Sequence, residues 1–212
     1  MNNILLKVIG GVALAAASIG VTGCGEFVRE SRSPSQLVMV SLEGASGAEP
    51  GAFGGVLQSD VETLVEVTIG DDQVRVPTIF SDSGRATMRI RLRDQGVPGN
   101  PAVPSPINEV TITRYRVTYR RADGRNTPGV DVPFPFDSAV TLTIPSEGTA
   151  TAGFELVRHV AKGEAPLAAL RFSRVIITTI AEVTFFGRDQ AGNEVAVTGQ
   201  IGIDFGNFGD PQ

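Results

Sequence analysis

Residues 194–205 read E-V-A-V-T-G-Q-I-G-I-D-F, and their alternation decides the fold. Val195, Val197, Ile201, Ile203 and Phe205 fall on one parity, while Glu194, Thr198, Gln200 and Asp204 fall on the other. Successive side chains of an extended chain point to opposite sides, so one face of this segment is core and the other is solvent. The stretch before it has the same period, with Val175, Ile177, Val183 and Phe185 set against Thr178, Glu182 and Thr184. Between the two runs lies R-D-Q-A-G-N-E, residues 188–194, dense in residues that favour turns. Residues 174–205 are therefore expected to form one long antiparallel hairpin.

Working outward, period-two alternation also marks 36–42, 61–69, 74–80, 85–93, 109–121, 138–144 and 152–160, which with the final pair makes nine strands. Helical periodicity is almost absent, apart from a short helical turn expected within 161–171. Pro and Gly break the chain into long connections at 44–60, 94–108 and 122–137. Many short strands without helices imply an all-β, antiparallel β-sandwich over residues 36–212. The five residues D-Q-A-G-N, Asp189 to Asn193, resemble the D-x-A-G-N turn before the last strand of many bacterial immunoglobulin-like and fibronectin type III-like modules. That resemblance implies a sandwich of the same kind here.

The N-terminus has a different character. Residues 1–23, MNNILLKVIGGVALAAASIGVTG, carry Lys7 as their only charge, followed by a small and apolar run, which is a signal-peptide pattern. The next residue, Cys24, is the only cysteine of the chain. V-T-G-C, residues 21–24, resembles the lipobox of bacterial lipoproteins. The resemblance implies cleavage before Cys24, a diacylglyceryl group on its thiol and acylation of its new amino group. Two or more acyl chains hold a protein stably on a bilayer where one does so only marginally. Residues 24–35, from Cys24 through GEFVRESRSPS, then read as the lipidated residue and its polar tether. Gly25, in place of the Asp that favours inner-membrane retention in enteric bacteria, leans the location toward the outer membrane where two membranes exist.

Motifs for catalysis and metal binding are sparse. The single histidine, His159, lies on an expected strand with no G-x-S-x-G elbow and no placeable triad order. Asp71, Asp72, Asp82 and Asp189 sit in turn-like places but lack the spacing of a calcium loop. D-F-G at 204–206 lacks every companion motif of a kinase. No cofactor is implied. The net charge of −5 argues against nucleic acid, whose binding draws on Lys and Arg to neutralise phosphates. A sugar platform would have only Tyr115 and Tyr119 to draw on, there being no Trp.

Arginine carries the most information. Arg89, Arg91 and Arg93 alternate with Met88, Ile90 and Leu92, and Arg114, Arg116 and Arg120 oppose Tyr115, Val117 and Tyr119. If the two strands pair across 94–108, all six arginines share one sheet surface. Such a surface is either a solvated face balanced by Glu62 and Glu66, or an anion-binding face for headgroups, envelope polymers or an acidic protein. The functional expectation is a non-enzymatic, lipid-anchored envelope protein acting as a binding or structural module, with an envelope protein or anionic polymer as partner. The alternative is an envelope hydrolase built on loop carboxylates such as Glu43, Asp60 or Asp94.

Overall fold

A computed structural model describes residues 32–208. The lipobox, Cys24 and the signal-peptide segment lie outside the described residues. The strands are β1 (Ser35–Ala45), β2 (Val56–Asp60), β3 (Thr63–Ile69), β4 (Asp72–Thr78), β5 (Asp82–Leu92), β6 (Gly96–Val97), β7 (Asn100–Pro101), β8 (Val110–Arg120), β9 (Phe136–Ile144), β10 (Ala150–Val157), β11 (Ile177–Asp189) and β12 (Glu194–Gly206). A 3-10 segment, Leu167–Phe172, stands where a helical turn was expected, but the helical turn α1 (His159–Lys162) starts earlier: β10 ends at Val157, so His159 and Val160 leave the strand expected at 152–160.

The final hairpin forms as its alternation requires. β11 and β12 pair without a break from Ile177 opposite Phe205 to Arg188 opposite Glu194. Asp189 organises the turn: its Oδ1 accepts the amides of Ala191 at 3.0 Å and Asn193 at 2.9 Å, and its Oδ2 accepts Asn193 Nδ2 at 2.9 Å. Gly192 supplies the left-handed residue the turn needs, at φ +86°. Burial works against the Asp189 charge, but donors from Asn193, Ser33 and Ala191 outweigh it and hold the carboxyl below its ordinary range.

Two sheets carry most of the chain, one ordered β1-β5-β10 and the other β2-β12-β11-β8-β9. All neighbours are antiparallel except β2, which runs parallel to β12. The pairing of 85–93 with 109–121 that would put all six arginines on one surface does not occur, because β5 lies between β1 and β10 while β8 lies between β11 and β9. The connection between them explains why. Instead of a tight hairpin it holds the small β6–β7 ribbon and a 3-10 turn, Pro106–Asn108, whose Asn108 Oδ1 accepts the Ser105 amide at 2.9 Å, and it carries the chain from one sheet to the other. The strands expected at 61–69 and 74–80 also leave the main sheets. As β3 and β4 they form a separate two-stranded ribbon. β2 was hidden inside the expected loop 44–60, since five residues with Leu57 and Ser59 buried give too short an alternation to stand out.

Both sheets contribute to one core. Phe154 of β10 meets Tyr115 of β8 and Phe185 of β11 in edge-on contacts, with centroids 5.1 and 5.2 Å apart. Tyr119 packs edge-on against Phe205 at 6.0 Å. The tyrosines also have a polar task at the irregularity in β10, where the ladder with β5 passes from Glu155 directly to Val157. There the Tyr119 hydroxyl donates to the Leu156 carbonyl at 2.7 Å, and that of Tyr115 donates to the Glu155 carbonyl at 3.1 Å. Burial pushes the Tyr119 hydroxyl far above its ordinary pKa, so it remains a donor. Gly84 permits the closest approach, for a Cβ there would stand 2.3 Å from the Phe154 ring.

Candidate functional site

The six arginines occupy outward positions, as their parity implies, but on different sheets. On β8, Arg114, Arg116 and Arg120 are all exposed, while Tyr115, Val117 and Tyr119 are buried. Their neighbours are acidic. Asp137 of β9 accepts Arg116 through both Nε and Nη2, at 3.0 and 2.8 Å to Oδ2, and accepts Arg114 at 3.2 Å. Glu182 of β11 pairs with Arg120. Arg114 also stacks over the Phe186 ring, 3.7 Å from its centroid, which adds a cation–π attraction. The hydrogen bonds and charge of Arg116 hold the Asp137 carboxyl below its ordinary range. These arginines are matched by acid, though not by the expected Glu62 and Glu66, which pair with Arg171 and Arg75.

The row on β5 is set among different neighbours. Arg89 lies opposite Val38 of β1 and Arg91 opposite Gln36. Sequence reasoning overlooked Arg85, which continues the same parity and takes the one nearby acid of β1, Glu43, through Nε at 3.0 Å and Nη2 at 2.9 Å. Arg93 Nε donates to the Ser33 carbonyl at 3.0 Å. The Gln95 amide faces Arg91 and, oriented with its oxygen toward the guanidinium, accepts from it. Among the described residues, Arg89, Arg91 and Arg93 make no ion pair.

At the opposite end of β5 lies a buried polar node that sequence reasoning missed. Asp82 is fully buried, and its Oδ1 accepts Lys162 Nζ at 2.7 Å and the Gly47 amide at 2.9 Å. Its Oδ2 accepts the Ser59 hydroxyl at 2.5 Å, and Lys162 donates a second bond to the Asp60 carbonyl at 2.8 Å. Burial pushes the Asp82 carboxyl upward, and the Lys162 charge and the three donors pull against it. The node clamps β2, β5, the 46–55 loop and α1 together. One signal pointed to it: beyond Lys7 the chain uses arginine for every cation except Lys162. A compact ammonium fits a point contact where a forked guanidinium would not.

Beside the clamp, Ser81, Glu155 and His159 come together in the chain order of some hydrolase triads. The geometry differs from a relay, in which histidine stands between acid and nucleophile. Here the Ser81 hydroxyl donates directly to Glu155 Oε1 at 2.5 Å, and its oxygen accepts the His159 backbone amide at 3.1 Å. Ser81 thus satisfies a free amide at the start of α1. The candidate carboxylates do not converge either. Asp60 receives Thr63 Oγ1 at 2.7 Å and the Phe208 amide at 3.1 Å, Glu43 is held by Arg85, and Asp94 caps the Gly96 amide beyond the far end of β5. Asp60 lines a cavity of about 270 Å³ with Glu49, which is exposed. Asp71 and Asp72 lie at the tip of the β3–β4 ribbon, and Asp82 and Asp189 are already engaged. Tyr115 and Tyr119, the only tyrosines, are in the core and offer no sugar platform.

Neither a protein-family model nor a curated relative matches this chain.

Proposed function

We propose that the chain is a lipid-anchored envelope protein whose β-sandwich works as a non-enzymatic binding module. The V-T-G-C lipobox pattern supports the anchor. The sandwich is read as fibronectin type III-like or immunoglobulin-like: a three-stranded sheet β1-β5-β10 faces β9-β8-β11-β12, with β2 added in parallel at the last strand. The D-Q-A-G-N turn before β12 agrees with that reading.

The observation that carries a binding role is the unequal matching of arginines. Those on β8 have Asp137 and Glu182 beside them, whereas Arg89, Arg91 and Arg93 have no ion-pair partner among the described residues, on a chain of net negative charge. Guanidinium groups in this state favour phosphate or carboxylate partners. The hydrolase alternative has less support, since Glu43, Asp60 and Asp94 each serve a separate structural bond.

Metabolic labelling with an alkyne fatty acid tests the anchor: label is expected on the wild type and absent from Cys24→Ser. An unlabelled wild type would defeat the lipoprotein reading.

A further inference from the structure

We propose that the Arg89–Arg91–Arg93 row grips anionic phospholipid headgroups of the same bilayer that holds the acylated Cys24. This rests on the lipid-anchor reading and adds a partner for the row and an orientation for the domain.

The argument begins where the chain leaves the domain. Ser35 pairs with Leu92, the Arg93 amide donates to the Pro34 carbonyl at 2.9 Å, and Arg93 Nε donates to the Ser33 carbonyl at 3.0 Å. The arginine row therefore ends at the exit point of the segment that leads back to Cys24. Nine peptide steps separate Cys24 from Ser33, so that exit cannot stand further than about 30 Å from the acylated residue. The other end of β5, at Asp82, lies about 33 Å beyond it along the strand. Chain length thus confines the arginine end, and not the clamp end, to the neighbourhood of the membrane surface.

The same end displays apolar side chains. The connection that begins at Arg93 exposes Val97 by 63%, Val103 by 76% and Ile107 by 63%. The Ser35 hydroxyl, donating to the Asn108 carbonyl at 2.8 Å, ties the end of this connection to the exit strand. Cationic side chains at the same end as a few exposed aliphatic ones suit the interface of an anionic bilayer, where headgroups take the charge and the acyl boundary takes the apolar atoms. The matching of charge fits as well. A protein of net charge −5 is repelled by an anionic surface overall, so the face it turns to that surface must be locally positive.

The test uses the acylated full chain, whose own thiol carries the lipid, reconstituted on vesicles of phosphatidylcholine alone or mixed equally with phosphatidylglycerol. A single introduced cysteine, Val97→Cys or Gly70→Cys at the tip of the β3–β4 ribbon, carries an environment-sensitive dye. A blue shift is expected at Val97 on the anionic vesicles only, and none at Gly70. Adding Arg89→Gln and Arg91→Gln should lower the docked-to-undocked ratio by about 25-fold, about fivefold per arginine. Arg114→Gln with Arg116→Gln should leave it unchanged. Equal emission from Val97 on both vesicles, or an anionic response that survives loss of Arg89 and Arg91, would overturn the proposal. So would retention on dextran sulfate without any vesicle response, which would assign the row to a polymer. Wild-type protein that fails to co-float with phosphatidylcholine vesicles defeats the anchor itself. Protein that co-floats but reads water at Val97 on both vesicles defeats only the docked face.

Discussion

The arginine rows of β5 and β8 are near copies in sequence and opposites in setting. Each alternates with core residues and each faces outward. Strand neighbours make the difference. β8 lies between β9 and β11, which bring Asp137 and Glu182, while β5 lies between β1 and β10 with Glu43 already committed to Arg85. A periodic row therefore fixes where charge points, and the sheet order fixes whether that charge is available. At its first residue β5 also shows a third case, Asp82, where matching is complete because burial allows nothing less.

The largest test of this contrast is at the clamp. Lys162→Met should lower stability by about 3–5 kcal/mol, read from the denaturant midpoint, since it strands a buried carboxylate. A loss below about 1 kcal/mol would mean that pairing matters no more inside than on the surface rows. Next comes conversion of one row into the other. Asp137→Asn with Glu182→Gln should raise salt-sensitive retention of the full chain on dextran sulfate by about tenfold; unchanged retention would show that acidic neighbours do not silence the β8 row. The smallest effect is in pH dependence. Arg116 holds Asp137 below its ordinary carboxylate range, so the pair adds stability above the unfolded value and loses it as pH falls through the folded one. The melting difference between wild type and Asp137→Asn should close in acid, whereas Arg89→Gln should show no such convergence.

Much of the fold was legible. The last hairpin, its turn and the inward parity of each main strand follow from alternation and from D-Q-A-G-N. Partnership was not, because alternation assigns a residue to a face without naming the strand beside it. That is why a pairing of β5 with β8 stood open in the sequence, and why β3 and β4 were expected in the sandwich. Val67, Ile69, Val74 and Val76 alternate like core residues yet remain exposed on the ribbon. The outward aim of the six arginines was readable. Their division into a matched and an unmatched group was not, since it depends on Asp137 and Glu182 from distant parts of the chain. The clamp was the least visible, with Asp82, Ser59 and Lys162 drawn from an expected turn, an expected loop and a helical turn.

The solitary lysine has a practical side. Past Lys7 the only side-chain amine is Lys162, which is 1% exposed and fastened to Asp82. On the proposed mature protein, with its amino terminus acylated, amine-directed crosslinkers and labels meet a surface without a target. Neighbours of this domain must therefore be trapped through carboxyl or photochemical reagents. Conversely, any amine modification of Lys162 records an opening of the clamp, so the residue that is hidden from ordinary labelling serves as a built-in gauge of local unfolding.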